Sequence, residues 1–302
     1  MNEARVATGL MAAATASAAY YASLQYARER PQGRHPSNKD VSLPQLPIIE
    51  HADVRRMLLQ QKAIVEGSLS LLMQCSYYAD TSKCADGDEA ADAHLLLELL
   101  TPVAKSFPAE YGISAVSAGM QVLGGAGYTD DYPLEQYYRD IRINAIYEGT
   151  TTIHGIDLLG RKVLLSNGRA MQLLQAEVAE TMTNAGKYPQ LLPQLNLFSE
   201  ALKAYQSVFA HLLKLAHTAS PERYLANATL HLECFSLVVI GWQWLKQAVV
   251  AVKEPAADHF YKSKLHTAAY FMQYELPKVH ALCLTITEDN NLLLDTPREL
   301  LV

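Results

Sequence analysis

Helical spacing runs through nearly all of this 302-residue chain, and no stretch shows the period-two alternation of a half-buried strand. Val54, Met57, Leu58, Val65, Leu69 and Leu72 recur at three- and four-residue steps. Leu96, Leu99, Val103 and Phe107 do the same, as do Phe198, Ala201, Tyr205, Val208, Leu212 and Leu215. Apolar stripes of this kind face other helices, so the pattern predicts an all-α chain. Helix-breaking residues divide it. A first helix over 2–30 should stop at Pro31 and Gly33, and a proline-bearing connection should cover 34–50. A second helix is expected over about 52–80, and the polar, small-residue stretch 83–92 reads as a loop. Helix resumes at Ala93 and should kink or break at Pro108, where a backbone donor is missing, before continuing to about Val122. Short helices are expected at 133–144 and 151–166. After Ser166-Asn167-Gly168 a second group follows, near 169–185, 194–218, 222–252 and 257–286. Ser220-Pro221-Glu222 is a helix start, with a capping hydroxyl, a proline at the first position and an acid in the first turn. Trp242, Trp244, Phe260, Tyr270 and Phe271 read as core or interface aromatics. The expected architecture is an up-down helical bundle over 1–166 followed by a second C-terminal helical bundle over 167–302.

Composition narrows the function classes. Half the chain is hydrophobic, enough for one large core or two modest ones. The net charge of −6 is dispersed, with no run of Lys or Arg, so neither a nucleic-acid nor a membrane-surface partner is expected. Cys75, Cys84, Cys234 and Cys283 are far apart and form no CxxC pair. They imply neither a zinc site nor a disulfide framework, and a reducing cytoplasm fits best. The N-terminal segment has small and apolar residues, but Glu3 sits beside Arg5 and the segment continues as a helix, unlike a signal peptide. No uninterrupted apolar run reaches the roughly 20 residues of a membrane span; Cys234 to Trp242 comes nearest.

Three local features lie between Gln121 and Lys162. Gly124, Gly125 and Gly127 follow a helix and let backbone approach closely, but their spacing matches no phosphate loop, and a helix C-cap is the simpler reading. Arg139, Asp140 and Arg142 read as a structural ion-pair cluster. Tyr147-Glu148-Gly149-Thr150-Thr151-Thr152 puts a carboxylate just before a helix, near Ile143, Ala145 and Ile146. Such an acid is commonly no more than a dipole partner, and by itself the segment leaves a catalytic role open.

Together, QVLGGAGY, DYPLEQYYRDIRI and IYEGT resemble the C-terminal helical domain of the acyl-CoA dehydrogenase family. ARVATG and YARERPQGR resemble that domain's first helix, and HADVRRMLLQQKAIVEG its second. The resemblance covers about 1–165 in the right order. Beyond 167, DHFYKSKLHTAAYFMQYELPKVHAL is similar to the extra helical domain of a longer subgroup that includes 3-methylmercaptopropionyl-CoA dehydrogenase-like enzymes. The resemblance implies FAD as cofactor and an acyl-CoA substrate. The α-proton would go to a glutamate base while the β-hydrogen leaves as hydride to the flavin. The base maps to Glu148, with Gly149 keeping its turn uncluttered beside the substrate. Thr150 and Thr152 match flavin-contacting positions, although Thr152 departs from the amide or glycine often found there. Gln121, Gly124 and Gly125 match the segment that touches the adenosine diphosphate half of FAD on a neighbouring subunit. Arg30 matches an arginine reaching the same pyrophosphate, with Gln32 assisting. Asn2 and Arg5 match positions near the CoA chain. Some relatives place the base on the first helix, at a position that is Ala4 here, which leaves Glu148. The resemblance also implies a homo-oligomer, dimer or tetramer, and an electron-transfer flavoprotein as electron acceptor.

Family members carry an N-terminal helical domain and a middle β-domain before this point. The expectation is therefore an excised domain or a split-gene product that alone binds FAD weakly and does not turn over acyl-CoA. Two other classes compete. A non-catalytic assembly module, or a subunit pairing with a separate flavin-holding chain, would be exposed by a partner that restores flavin binding. A nucleic-acid-binding branch would require salt-sensitive DNA retention, against the acidic balance.

Overall fold

The computed structural model describes residues 1–37, 40–254, 258–288 and 291–301, and among them there is no strand. The helices are α1 (Asn2–Glu29), α2 (Ala52–Cys84), α3 (Gly87–Leu123), α4 (Leu134–Ile141), α5 (Thr151–Gly160) and α6 (Leu165–Ala185). They continue with α7 (Leu192–Thr218), α8 (Pro221–Leu225), α9 (Ala228–Ala251), α10 (His259–Tyr270), α11 (Lys278–Thr287) and α12 (Leu292–Asp295). The chain forms two compact units, each built from separated segments. One comprises Met1, Glu3–Leu72 and Ala104–Glu148; the other comprises Asn2, Met73–Val103 and Gly149–Val302. This division differs from a single cut at 166/167, because α2 and α3 each contribute one part to each unit.

In the first unit, α1 packs through small side chains. Gly9, Ala12, Ala13, Ala16, Ala19, Ser23 and Ala27 are buried, so a backbone can come close along this face. The closest approach is at Gly9, where a Cβ would lie 2.0 Å from the Ala104 carbonyl oxygen. That carbonyl is the one Pro108 cannot serve, since proline lacks the N–H that would bond four residues back. The approach of Gly9 covers it with a Cα–H group, a weak but recurrent contact in helix packing. The expected break at Pro108 does not occur: α3 runs through it as one helix. It also begins at Gly87, so the polar stretch 83–92 is mostly helical. A buried polar knot joins the same helices: the Ser23 hydroxyl donates to Gln61 Oε1 at 3.0 Å, and the Gln61 amide donates to the Met57 carbonyl at 3.2 Å.

In the second unit, α9 is the central helix. Its residues from Cys234 to Leu245 are all buried, the polar Ser236 and Gln243 included. The helices α5, α6, α7, α10 and α11 pack on it. Gly155 permits the α5 crossing, since a Cβ there would meet the Ala228 carbonyl at 2.7 Å. By length and hydropathy the stretch Pro221–Ala251 could cross a membrane, but 72% of its most apolar window is buried in protein, as in a core helix. Ser166, Asn167 and Gly168, near the start of α6, all have positive φ, so the regular helix begins only after them. Ser220 caps α8 by accepting from the Arg223 N–H at 3.4 Å. Trp242, Trp244, Tyr270 and Phe271 are buried, whereas Phe260 is 61% exposed and lies under the Lys264 ammonium rather than in the core.

Candidate functional site

Glu148 and Gly149 form the connection into α5, and both have positive φ, 55° and 94°. The left-handed region is uncommon for a residue with a side chain, and glutamate has no special reason to adopt it. At Gly149 the requirement is steric as well. A Cβ there would sit 3.1 Å from Nε2 of His154, which is fully buried. The Thr150 carbonyl accepts from the His154 N–H at 3.2 Å, beginning α5. Thr150 is the N-cap residue but its hydroxyl makes no capping bond, and it and Thr152 remain exposed. The Glu148 side chain is also exposed. A dry setting, which would strengthen the carboxylate as a base, is therefore not supplied by the described residues.

Lys105, on α3, was not singled out by sequence motifs. Its side chain is fully buried. Burial pushes its pKa down to about 8, opposed by Glu110 and Glu148 and reinforced by Arg5. Lys105 thus lies within electrostatic reach of both Arg5 and Glu148 in the first unit. Asn2 is held elsewhere: its amide donates to Glu98, which also pairs with Lys162. Burial would raise the Glu98 pKa, but the bonds from Lys162 and Asn2 outweigh it and hold the carboxyl below its usual range.

The candidate phosphate-facing residues lie at or beyond the C-terminal ends of α1 and α3. Arg30 caps α1, and its backbone is pinned on both sides: its N–H donates to the Tyr26 carbonyl and its carbonyl accepts from Ile48. The Gln32 carbonyl accepts from His51 Nε2 at 2.7 Å. One turn before Arg30, Tyr26 meets Tyr132 edge to face at 5.4 Å, bringing the end of α1 to the segment that follows the glycines. Gly124 has φ 61° directly after α3, the left-handed C-cap its sequence implies. A Cβ at Gly124 or Gly125 would meet nothing within 4 Å, so both glycines present open backbone. Gln121, Arg30 and Gln32 are exposed. A guanidinium, two carboxamides and uncovered backbone are donors suited to a pyrophosphate. Arg139, Asp140 and Arg142 are exposed and form no ion pair with one another among the described residues, so the expected cluster is absent. No group of three metal-ligating side chains occurs among the described residues.

The family profile described as "Acyl-CoA dehydrogenase, C-terminal domain" matches residues 1–164, and "Acetyl-CoA dehydrogenase C-terminal like" matches 174–297. The chain is 35% identical over 300 residues to a 3-methylmercaptopropionyl-CoA dehydrogenase of Ruegeria pomeroyi, covering 97% of this chain and 50% of that protein. It is 31% identical over 291 residues to the broad-specificity linear acyl-CoA dehydrogenase FadE5 of Mycobacterium tuberculosis, covering 92% and 48%. The fold resembles that of a Bacillus anthracis acyl-CoA dehydrogenase complexed with FAD, with a TM-score of 0.74 and 22% identity, covering 99% of this chain and 50% of that one. The chain spans about half the length of the curated relatives it matches. With one family profile covering more than half of its residues, the chain belongs to the acyl-CoA dehydrogenase family.

Proposed function

We propose that this chain is the C-terminal part of an FAD-dependent enzyme that removes the α and β hydrogens of an acyl-CoA thioester, with Glu148 as the α-proton base. The observation that carries this reading is the left-handed Glu148-Gly149 pair at the start of α5. Backbone strain of this kind persists where surrounding structure holds it, and it clusters at active sites. The Glu148 carboxylate takes the proton from the carbon next to the thioester carbonyl. Its own backbone N–H donates to the oxygen on which charge develops, the kind of stabilisation that preorganised donors supply. FAD, when bound, supplies the acceptor for the β-hydride. Thr150 and Thr152 would offer hydroxyls to its flavin half, whereas Arg30, Gln32, Gln121 and the backbone of Gly124 and Gly125 would hold the pyrophosphate half of the FAD bound to a neighbouring subunit. The exposure of Glu148 supports a site completed by other protein segments.

On the resemblance of its sequence motifs to the family, we extend the reading to a dimer or tetramer and an electron-transfer flavoprotein as acceptor. The acidic, dispersed charge and the four free thiols support a cytoplasmic protein without nucleic-acid or membrane partners. The test is Glu148→Gln in the complete enzyme. Flavin binding should be retained, while reduction of the flavin by acyl-CoA should slow at least about 100-fold, the low end of the contribution of a positioned base. Flavin bleaching at the native rate would refute the assignment.

A further inference from the structure

Two of the four thiols, 49 residues apart in sequence, meet inside the second unit. Cys234 on α9 and Cys283 on α11 place their sulfurs 3.6 Å apart, in hydrogen-bonding contact. Nothing in their spacing suggests this, because the pairing arises only when α11 packs against α9. The other two cysteines differ: Cys75 is buried and Cys84 is exposed. We propose that Cys234 and Cys283 are a modification site that a small peroxide converts reversibly into an intramolecular disulfide joining α9 to α11.

The chemistry follows from the asymmetry of the pair. Cys283 is 7% exposed, whereas Cys234 is fully buried. The hydrogen bond shared by the two sulfurs holds the Cys283 pKa below that of an ordinary thiol, and the same bond together with burial raises that of Cys234. The thiolate is the nucleophile, so Cys283 reacts first. Its sulfur attacks hydrogen peroxide, the O–O bond breaks, hydroxide leaves, and Cys283 becomes a sulfenic acid. The Cys234 sulfur then attacks the Cys283 sulfur and displaces the sulfenic oxygen, which takes up protons and leaves as water. The balance is two thiols and one peroxide giving one disulfide and two waters, with two electrons passing from sulfur to peroxide. The sulfurs must approach from 3.6 Å to about 2.05 Å, a movement that side-chain rotation and slight helix adjustment can deliver. A thiol donor such as dithiothreitol reverses the step by exchange.

The experiment uses the complete chain and a Cys84→Ser variant, which removes the exposed thiol. After treatment with stoichiometric hydrogen peroxide, the protein is denatured in the presence of N-ethylmaleimide and weighed. The variant should drop from three alkylated cysteines to one, and a non-reducing tryptic map should contain residues 224–246 linked to 279–298. Dithiothreitol should restore three. Adding Cys234→Ala should abolish the linked peptide and leave Cys283 as a blocked or over-oxidised single thiol. The linked peptide in the unsubstituted chain serves as the readout if the variants fold poorly. Retention of all three thiols, a product at Cys75, or only intermolecular dimers through Cys84 in the unsubstituted chain would overturn the proposal.

Discussion

Buried polar residues in this chain carry information that motifs do not. His231 is fully buried among Tyr205, Phe209 and Phe235, with its ring nearly parallel to that of Phe235 and its Nε2 3.2 Å from the Tyr205 hydroxyl. Burial lowers its pKa to about 4, so it is neutral in the folded chain at neutral pH. The unfolded chain, with an ordinary histidine near 6.5, takes up this proton first on acidification. Stability from this residue is therefore complete above pH 6.5 and is lost as pH falls toward 4. The loss reaches about 2 kcal/mol at pH 5. Urea titrations at pH 7 and pH 5 should show that His231→Gln, whatever its cost at pH 7, narrows the difference between the two pH values by about that amount. An unchanged difference would mean that the ring is charged or accessible in the folded state. Legibility from sequence divides along the same line at the candidate site. The IYEGT and QVLGGAGY segments are local, so Glu148 and Gly124 could be identified from their neighbours. The buried charge of Lys105 and the Cys234–Cys283 contact depend on which helix faces which, and neither is written in a contiguous stretch.

Among the elements, helix existence was readable because amphipathic periodicity is a local property, but helix ends and breaks were less so. The break expected at Pro108 fails for a reason outside α3. The unserved Ala104 carbonyl is met by Gly9 of α1, and the helix continues across Pro108 without a break. The continuous reading of 222–252 fails the other way, since Ala226 and Asn227 separate α8 from α9 without a proline or glycine to mark the place. The Gly9 contact predicts a specific cost. Gly9→Ala gains about 1 kcal/mol of helix propensity. Against that gain, the new methyl would sit 2.0 Å from the Ala104 oxygen and 3.2 Å from Leu72, so α1 must move away from its neighbours. Overpacking against rigid backbone costs about 1–3 kcal/mol, so a net loss of up to about 2 kcal/mol is expected in the unfolding free energy from urea titration. Gly125→Ala is the control, since its Cβ meets nothing within 4 Å and its φ is not positive. It should change stability by no more than about 0.5 kcal/mol. Equal effects at the two positions would remove the close approach of Gly9 as a feature of the fold.

Across the whole molecule, the second unit is not a contiguous piece of chain, and this sets what can fold alone. Residues 73–103 supply it with parts of α2 and α3. The Tyr78 hydroxyl donates to Glu177 of α6 at 2.6 Å, the Arg169 guanidinium grips Asp92 through two bonds of 2.7 Å, and Lys246 of α9 reaches Gln74. Tyr78, Leu96, Leu97, Leu99, Leu100 and Val103 are all buried. Each large apolar side chain returned to water costs about 1.5–3 kcal/mol. Removing this segment therefore forfeits stabilisation comparable to the 5–15 kcal/mol net stability of a typical folded domain. A fragment of residues 167–302, cut where the sequence changes character, lacks the whole segment. It should show no cooperative urea transition and little near-ultraviolet circular dichroism from Trp242 and Trp244, both fully buried in the complete chain. A fragment beginning at Met73 keeps the segment and should recover both signals. If residues 167–302 alone unfold cooperatively with a native-like tryptophan signal, the contacts from 73–103 are dispensable and the extension is an autonomous folding unit.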